Sequence, residues 1–320
     1  GSSNTIAIGV NAGNLNQASN DIAVGSGAGQ SAQGTAAIAI GNSSGNTSQG
    51  QNSIAIGNGS GNGAQKSGAV SIGVSSGASN QGQNAIAIGV ESGRRVQSSG
   101  GISIGLQAGN TGQGTNSIAV GSGAGQGTQA SNSIAIGFNS AQSAQGVNSV
   151  AIGNSAGQGT QGLNSVAIGY QAGQGTQGSN SIAIGYQAGR TAQGNFAVAV
   201  GFTSGEAYQQ ISAVAIGDGA AYVSQGQYSV AIGYQTARNS QGNNAIAIGD
   251  QAGYNSQGLR AVAIGFNAAR ASQGSNSIAI GSSAGDVNQS SNSVAIGKNA
   301  GEVLQKNDCV AIGTSAGQNS

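Results

Sequence analysis

A glycine closes a short aliphatic phrase at Gly9 and then at every sixteenth residue through Gly313, twenty times in 320 residues with no insertion or deletion. A period this short and this strict leaves few folds open. Each unit is too small to bury a face of its own, so consecutive units must cover one another. Residues 1–320 therefore read as a single uninterrupted repeat array, a segment of a longer chain.

With the closing glycine counted as position 16, the chain supplies twenty aligned copies of its own unit. Positions 13 and 15 are Ile or Val in every copy, position 14 is Ala except at Ser71 and Ser103, position 3 is Ala, Ser or Thr, and position 4 is Gly or Ala. Ile-Ala-Ile alternates with period two, the mark of a strand that sends alternate side chains to opposite faces. The β-branched pair is expected inside, leaving positions 12 and 14 as a flat outer face of Ser and Ala that suits a closely approaching partner. The expected fold class is all-β, a parallel β-solenoid (β-roll) of twenty 16-residue coils. Stacked at roughly 4.8 Å, such coils would make a rod on the order of 95 Å long. Proline is absent, as strands paired on both sides require.

Corners are expected at positions 9 to 11, as in Gly178-Ser179-Asn180, and at position 4, where residues tolerant of positive φ recur. A weaker second strand is expected over positions 5 to 8. Charges such as Arg94, Arg238 and Glu302 put position 5 outside, so alternation turns positions 6 and 8 inward, with Arg95 as an exception. Position 8 is glutamine in nineteen coils: Gln17, Gln33, Gln49, Gln65, Gln81, Gln97, Gln113, Gln129, Gln145, Gln161, Gln177, Gln193, Gln209, Gln225, Gln241, Gln257, Gln273, Gln289 and Gln305. An unpaired buried amide is costly. Stacked in register, these residues are expected to form a structural hydrogen-bonded ladder.

The aromatic residues are unevenly shared. All eleven lie between Phe138 and Phe266, and Phe138, Tyr170, Tyr186, Phe202, Tyr234 and Phe266 occupy position 1, while irregular coils carry Tyr208, Tyr222 and Tyr228. The position-1 set reads either as rings packed on one another or a neighbouring subunit, or as a candidate binding stripe for glycan or protein. Opposite charges at position 5 of adjacent coils, Arg190 with Glu206 and Arg270 with Asp286, are expected to pair and fix register.

NSVAIG, present at 148–153, 164–169 and 292–297 and varied elsewhere as NSIAIG or NAIAIG, resembles the head repeat of YadA-like trimeric autotransporter adhesins, a phrase also found in viral and phage fibre proteins. The resemblance implies a left-handed roll that forms a homotrimer, and a structural fibre or adhesin segment, extracellular on a cell or virion surface, whose partners are itself and a host protein or glycan. The unit here is sixteen residues with an added Gln-Gly corner, longer than the familiar repeat, and no neck, coiled-coil stalk or membrane anchor appears within these 320 residues.

Composition bears on the other function classes. Charged residues make up 5% and the net charge is +1, which gives no electrostatic case for nucleic acid or for an anionic membrane. No apolar run is long enough for membrane insertion as a helix. There is no histidine, the eight carboxylates are scattered, and no metal-ligand spacing occurs, so neither enzymatic activity nor a cofactor or metal site is expected. Cys309 stands alone and reads as a substitution for the usual Ser or Ala, with an intermolecular disulfide as the other option. The absence of methionine, and ends that begin and stop within the repeat, point to a processed or excised segment. Ice binding is the alternative function, since a flat solenoid face of small side chains can order water. Against it, regular Thr-x-Thr ranks are missing and position 12 alternates irregularly between Ser and Ala.

Overall fold

The computed structural model describes residues 4–319, and the chain divides into two compact units after Leu163. Both are parallel β-solenoids with 16-residue coils, and the described residues contain no helix. In the first unit ten three-residue strands run from Ile6–Ile8 to Val150–Ile152. Each pairs with the strand one repeat later, beginning with Ile6 against Ile22 and ending with Ile134 against Val150. The second unit has ten more, from Val166–Ile168 to Val310–Ile312, beginning with Val166 against Ile182 and ending with Val294 against Val310. Like residues therefore superpose from coil to coil.

The second ladder is narrower than the sequence suggests. Positions 7 and 8 alone pair, from Ser48–Gln49 to Thr160–Gln161 in the first unit and between Thr176–Gln177 and Ala192–Gln193 in the second. Beyond Gln193 it thins to single bridges, at the glutamines from Gln193 to Gln289 and then at position 6 between Val287 and Val303. Position 6 is not inward: Ser79 and Arg95 are exposed, so Arg95 breaks no rule.

The strand faces are the reverse of the expectation. Alanine at position 14 is fully buried in both units, as at Ala119, Ala135, Ala215 and Ala231. So are position 12, as at Ser117 and Ala213, and position 3, as at Ala124 and Ala220. The Ile and Val of positions 13 and 15 point outward. The cause is the thinness of the coil. Glutamine at position 8 reaches across the interior to the far wall, as where Gln49 Nε2 donates to the Ile38 carbonyl at 2.7 Å and Gln225 Nε2 to that of Val214 at 2.7 Å. One glutamine therefore spans the gap, and only Ala, Ser or Gly fits beside it. The largest fully buried side chains are accordingly glutamines, not aliphatics.

Corner chemistry also differs in part. Positions 4 and 11 are left-handed, as expected, with Ala237 at φ 48° and Asn180 at 58°. Position 2 is too, as at Gln187 with φ 53°. Position 9 is not: Gly178 is conserved in the repeat for closeness, since a Cβ there would lie 2.5 Å from the Asn195 nitrogen of the next coil. The closing glycine meets both demands, and Gly201 has φ 132° with its notional Cβ 2.5 Å from the Gly217 carbonyl oxygen.

One coil carries a carboxylate in the interior. Asp21 replaces the usual small residue at position 12 and is fully buried; Oδ1 accepts from the Ala37 amide at 3.0 Å, while Oδ2 has no partner. Burial raises its pKa, opposed in part by backbone hydrogen bonds. A carboxyl whose folded pKa is raised favours the folded state when protonated and disfavours it when ionised. Replacing Asp21 with Ser should stabilise this coil by about 1–3 kcal/mol at neutral pH. The gain should shrink as pH falls through the raised pKa. Amide exchange in the Ile6–Ile8 and Ile22–Val24 strands, followed from pH 7 to pH 4, reads both effects.

Candidate interaction surfaces

The outward aliphatic ranks form a continuous apolar face on each unit. Away from the terminal coils, position 15 is half-buried to exposed, reaching 38% at Ile104, 37% at Ile184 and 36% at Ile248, with Ile56, Ile88, Ile168 and Ile264 less so. Ten adjacent strands with two outward β-branched residues apiece make a patch of a kind that monomers rarely leave open. Strict spacing of Ile and Val signals this face in the sequence, but only the narrowness of the coil decides which way it points.

The six position-1 aromatics are all exposed and fall into two groups. Tyr170, Tyr186 and Phe202 stack, with centroids 5.1 and 4.9 Å apart and planes within 13° and 10°. Tyr186 thus has a neighbour on each ring face, leaving its edge to solvent. Phe138, Tyr234 and Phe266 have no ring contact among the described residues; Tyr234 lies between coils that carry Asp218 and Asp250 at position 1, and its hydroxyl accepts from Gln235 Nε2 at 3.0 Å. The structure therefore brings three of the six together and leaves three single.

Position 5 forms a second axial row in the second unit. Arg190 pairs with Glu206 at 2.5 Å and Arg270 with Asp286 at 3.1 Å. These are not the exposed pairs the sequence suggests, because the carboxylates are nearly buried, Glu206 at 5% and Asp286 at 7%. Burial pushes the Asp286 carboxyl up, and Arg270 opposes the shift. Between these pairs Arg238 lies 5.1 Å from the Tyr222 ring and 5.8 Å from that of Tyr254, and donates through Nη1 to the Tyr254 hydroxyl at 2.9 Å. Cation–π contacts of this kind favour neighbours in a defined order.

The glutamine ladder is internal. It runs bond by bond from Gln177 through Gln193, Gln209, Gln225, Gln241, Gln257, Gln273 and Gln289 to Gln305 at 3.0–3.2 Å. In the first unit it is broken, and the Gln49 and Gln97 Oε1 atoms have no partner. Ser71 and Ser103, the two departures at position 14, face inward and donate to Gln81 and Gln113 at 2.7 and 2.6 Å. Cys309 is exposed and free. Among the described residues no group of three or more His, Cys, Asp or Glu side chains could hold a metal ion, and no helix is long and apolar enough to cross a membrane.

Comparison with known families gives one match. Residues 143–156, 161–173, 177–204 and 240–268 match the YadA head domain repeat. The interval 205–239, between matched segments, holds Tyr208, Tyr222 and Tyr228. No curated protein matches the chain.

Proposed function

We propose that the chain is a structural segment of a surface fibre or adhesin, a stiff repeat array spanning residues 1–320 that self-associates through its aliphatic face. The similarity to the YadA head domain repeat supports the adhesin-like reading and, by resemblance, a homotrimer exposed on a cell or virion surface. The observation that carries self-association is the outward Ile and Val of positions 13 and 15, in register over ten strands of each unit. A second copy of the same ladder, with the same coil rise, is the complement that such a face fits. The role is one of length, rigidity and display, with no catalytic step, no cofactor and no nucleic-acid partner; a host protein or glycan is the target class.

Light scattering tests this. The wild-type chain should show a multiple of 30.4 kDa. Replacing outward Ile184, Ile216 and Ile248 with Lys should shift the mass toward one chain with the β-sheet circular dichroism retained, because a lysine stem can lie along the partly buried strand face and carry its ammonium into water. A wild-type mass of one chain would remove the self-association. The ice-binding alternative relied on the Ser and Ala strip at positions 12 and 14, which is buried. Of the ranks that do face outward, positions 13 and 15 are aliphatic, and position 7 mixes Thr128, Thr160 and Thr176 with Ala144 and Ala192 instead of forming a regular hydroxyl rank. A thermal hysteresis assay separates the two readings.

A further inference from the structure

We propose that Tyr208, on the wall opposite the aliphatic face, binds a neutral saccharide, with Phe196 and Tyr228 as flanking rings on the coils before and after it. The assignment deepens the adhesin reading above by naming a ligand class and a place for it.

The three residues lie on consecutive coils and depart from the repeat. Position 11 is usually Asn, which tolerates a left-handed backbone, yet it is Phe196 and Tyr228 in these coils; position 7 is usually small, yet it is Tyr208. All three have positive φ, at 60°, 57° and 57°, which Phe196 and Tyr228 share with the rest of position 11 and Tyr208 does not share with position 7 of the adjacent coils. The repeat itself holds position 11 left-handed, as at Ser212 and Arg260, so Phe196 and Tyr228 set bulky rings where Cβ crowds the backbone and gain no partner within the chain by it. The rings are 58%, 63% and 58% exposed, none has a ring partner, and neither tyrosine hydroxyl makes a hydrogen bond among the described residues. The neighbouring aromatics differ in this respect, since Tyr170, Tyr186 and Phe202 stack and Tyr222 and Tyr254 flank Arg238.

A trough of about 280 Å³ opens beside Tyr208, with Thr176, Ala192, Gly194 and Gln210 among its lining and no charged side chain. Ile211, which follows Gln210, is 40% exposed, and its carbonyl accepts from the Tyr228 amide, which links the trough to the third ring's coil. Bare aromatic faces set beside an amide and a hydroxyl, without charge, are complementary to sugars. Their C–H faces lie on rings and their hydroxyl groups exchange hydrogen bonds with amides. A sialylated or phosphorylated ligand would find no cation in the trough. The trough also stays open when copies associate through the aliphatic face, because Gln209, in its lining, crosses the interior to the Val198 carbonyl in the opposite strand at 2.7 Å.

The test is a glycan array of neutral and sialylated oligosaccharides, followed by titration calorimetry of the best neutral binder with the full chain. Three variants use residues that occupy the same positions elsewhere in the array: Tyr208→Ser, Phe196→Asn and Tyr228→Asn. Each is expected to weaken binding at least tenfold, while the thermal midpoint holds or rises as strain is relieved and the light-scattering mass stays at the wild-type value. The mass readout separates failure of this site from failure of the self-association reading. The assignment is overturned if no neutral oligosaccharide binds, if only sialylated ones do, or if the triple variant binds within twofold of wild type. A midpoint lowered by several degrees in the asparagine variants would show the rings to be structural. A protein captured through Tyr208 with no saccharide bound would replace the sugar with a protein partner.

Discussion

Replacing Gly201 with Ala should destabilise the second unit by about 3 kcal/mol or more, a large effect for one methyl group. Two causes act together. At φ 132° the backbone lies in a region that only glycine occupies at ease, and an L-residue there costs about 1–3 kcal/mol. The added Cβ would also stand 2.5 Å from the Gly217 carbonyl oxygen and 2.8 Å from its carbon, both main-chain atoms of the next coil that cannot swing away. Relief requires the coils to part, and the hydrogen bond from the Gly217 amide to the Val200 carbonyl at 2.9 Å is the first at risk. Because a solenoid is held by nearest-neighbour interfaces, the damage should appear as a weak point in the stack. Thermal unfolding should lose cooperativity, and amide exchange should accelerate around residues 198–218. Gly178→Ala is the control. Its Cβ would be as close to the next coil, but its backbone is not left-handed, and Ala130 already occupies the equivalent place in another coil. Its cost should be about 1 kcal/mol or less. Equal costs for the two variants would show that crowding alone, and not backbone conformation, sets the invariance of the closing glycine.

The same glycine shows what was legible in the sequence and what was not. Period, register and strand position follow from the repeat itself, because identical units stacked by translation must place like residues over like. The direction of the strand does not follow from alternation, which has two solutions. Hydrophobicity selects Ile and Val for the interior, and the structure selects Ala. The deciding quantity is the distance between the walls, which depends on where the chain turns. Positions 2 and 16 turn it earlier than the Gly-x-Asn corner alone would, and leave a gap that one glutamine fills. A clue was present in the restriction of positions 3, 12 and 14 to small residues in nearly every coil. Solvent-facing positions do not stay small without a reason, and Ser71 and Ser103 sit where their hydroxyls meet Gln81 and Gln113. Of the candidate stripe, Tyr170, Tyr186 and Phe202 were legible as stacking rings because they occupy one position in three successive coils. At Phe196 and Tyr228 the left-handed corner was legible from the asparagines that share position 11, whereas the exposure of the two rings was not, since the residue name does not say whether a ring finds a partner.

Converting Gln225 to Glu should make the stability of the second unit depend on pH, with a loss of about 3–5 kcal/mol at neutral pH that is largely recovered in acid. The Gln225 Nε2 donates to the Val214 carbonyl at 2.7 Å and to Gln241 Oε1 at 3.2 Å, and Oε1 accepts from Gln209 at 3.0 Å. A carboxylate keeps the accepting role and loses both donated bonds, so its charge faces oxygen lone pairs in an interior otherwise built of alanine and serine. Protonation restores one donor and removes the charge. The folded-state pKa must therefore rise above the unfolded value of about 4.3. Such a group leaves stability intact below the unfolded pKa and withdraws it as pH rises, by about 1.4 kcal/mol for each unit until the folded pKa is reached. Denaturant midpoints measured from pH 4 to pH 8 should fall more steeply for the Glu variant than for wild type, in which the raised carboxyls of Asp21 and Asp286 are the background slope common to both. Gln225→Leu, which keeps bulk but donates nothing, should be destabilised to a similar degree at every pH. A Glu variant as insensitive to pH as the Leu variant would mean that the side chain at this position reaches water, and that the ladder is not the sealed core on which the thin coil depends.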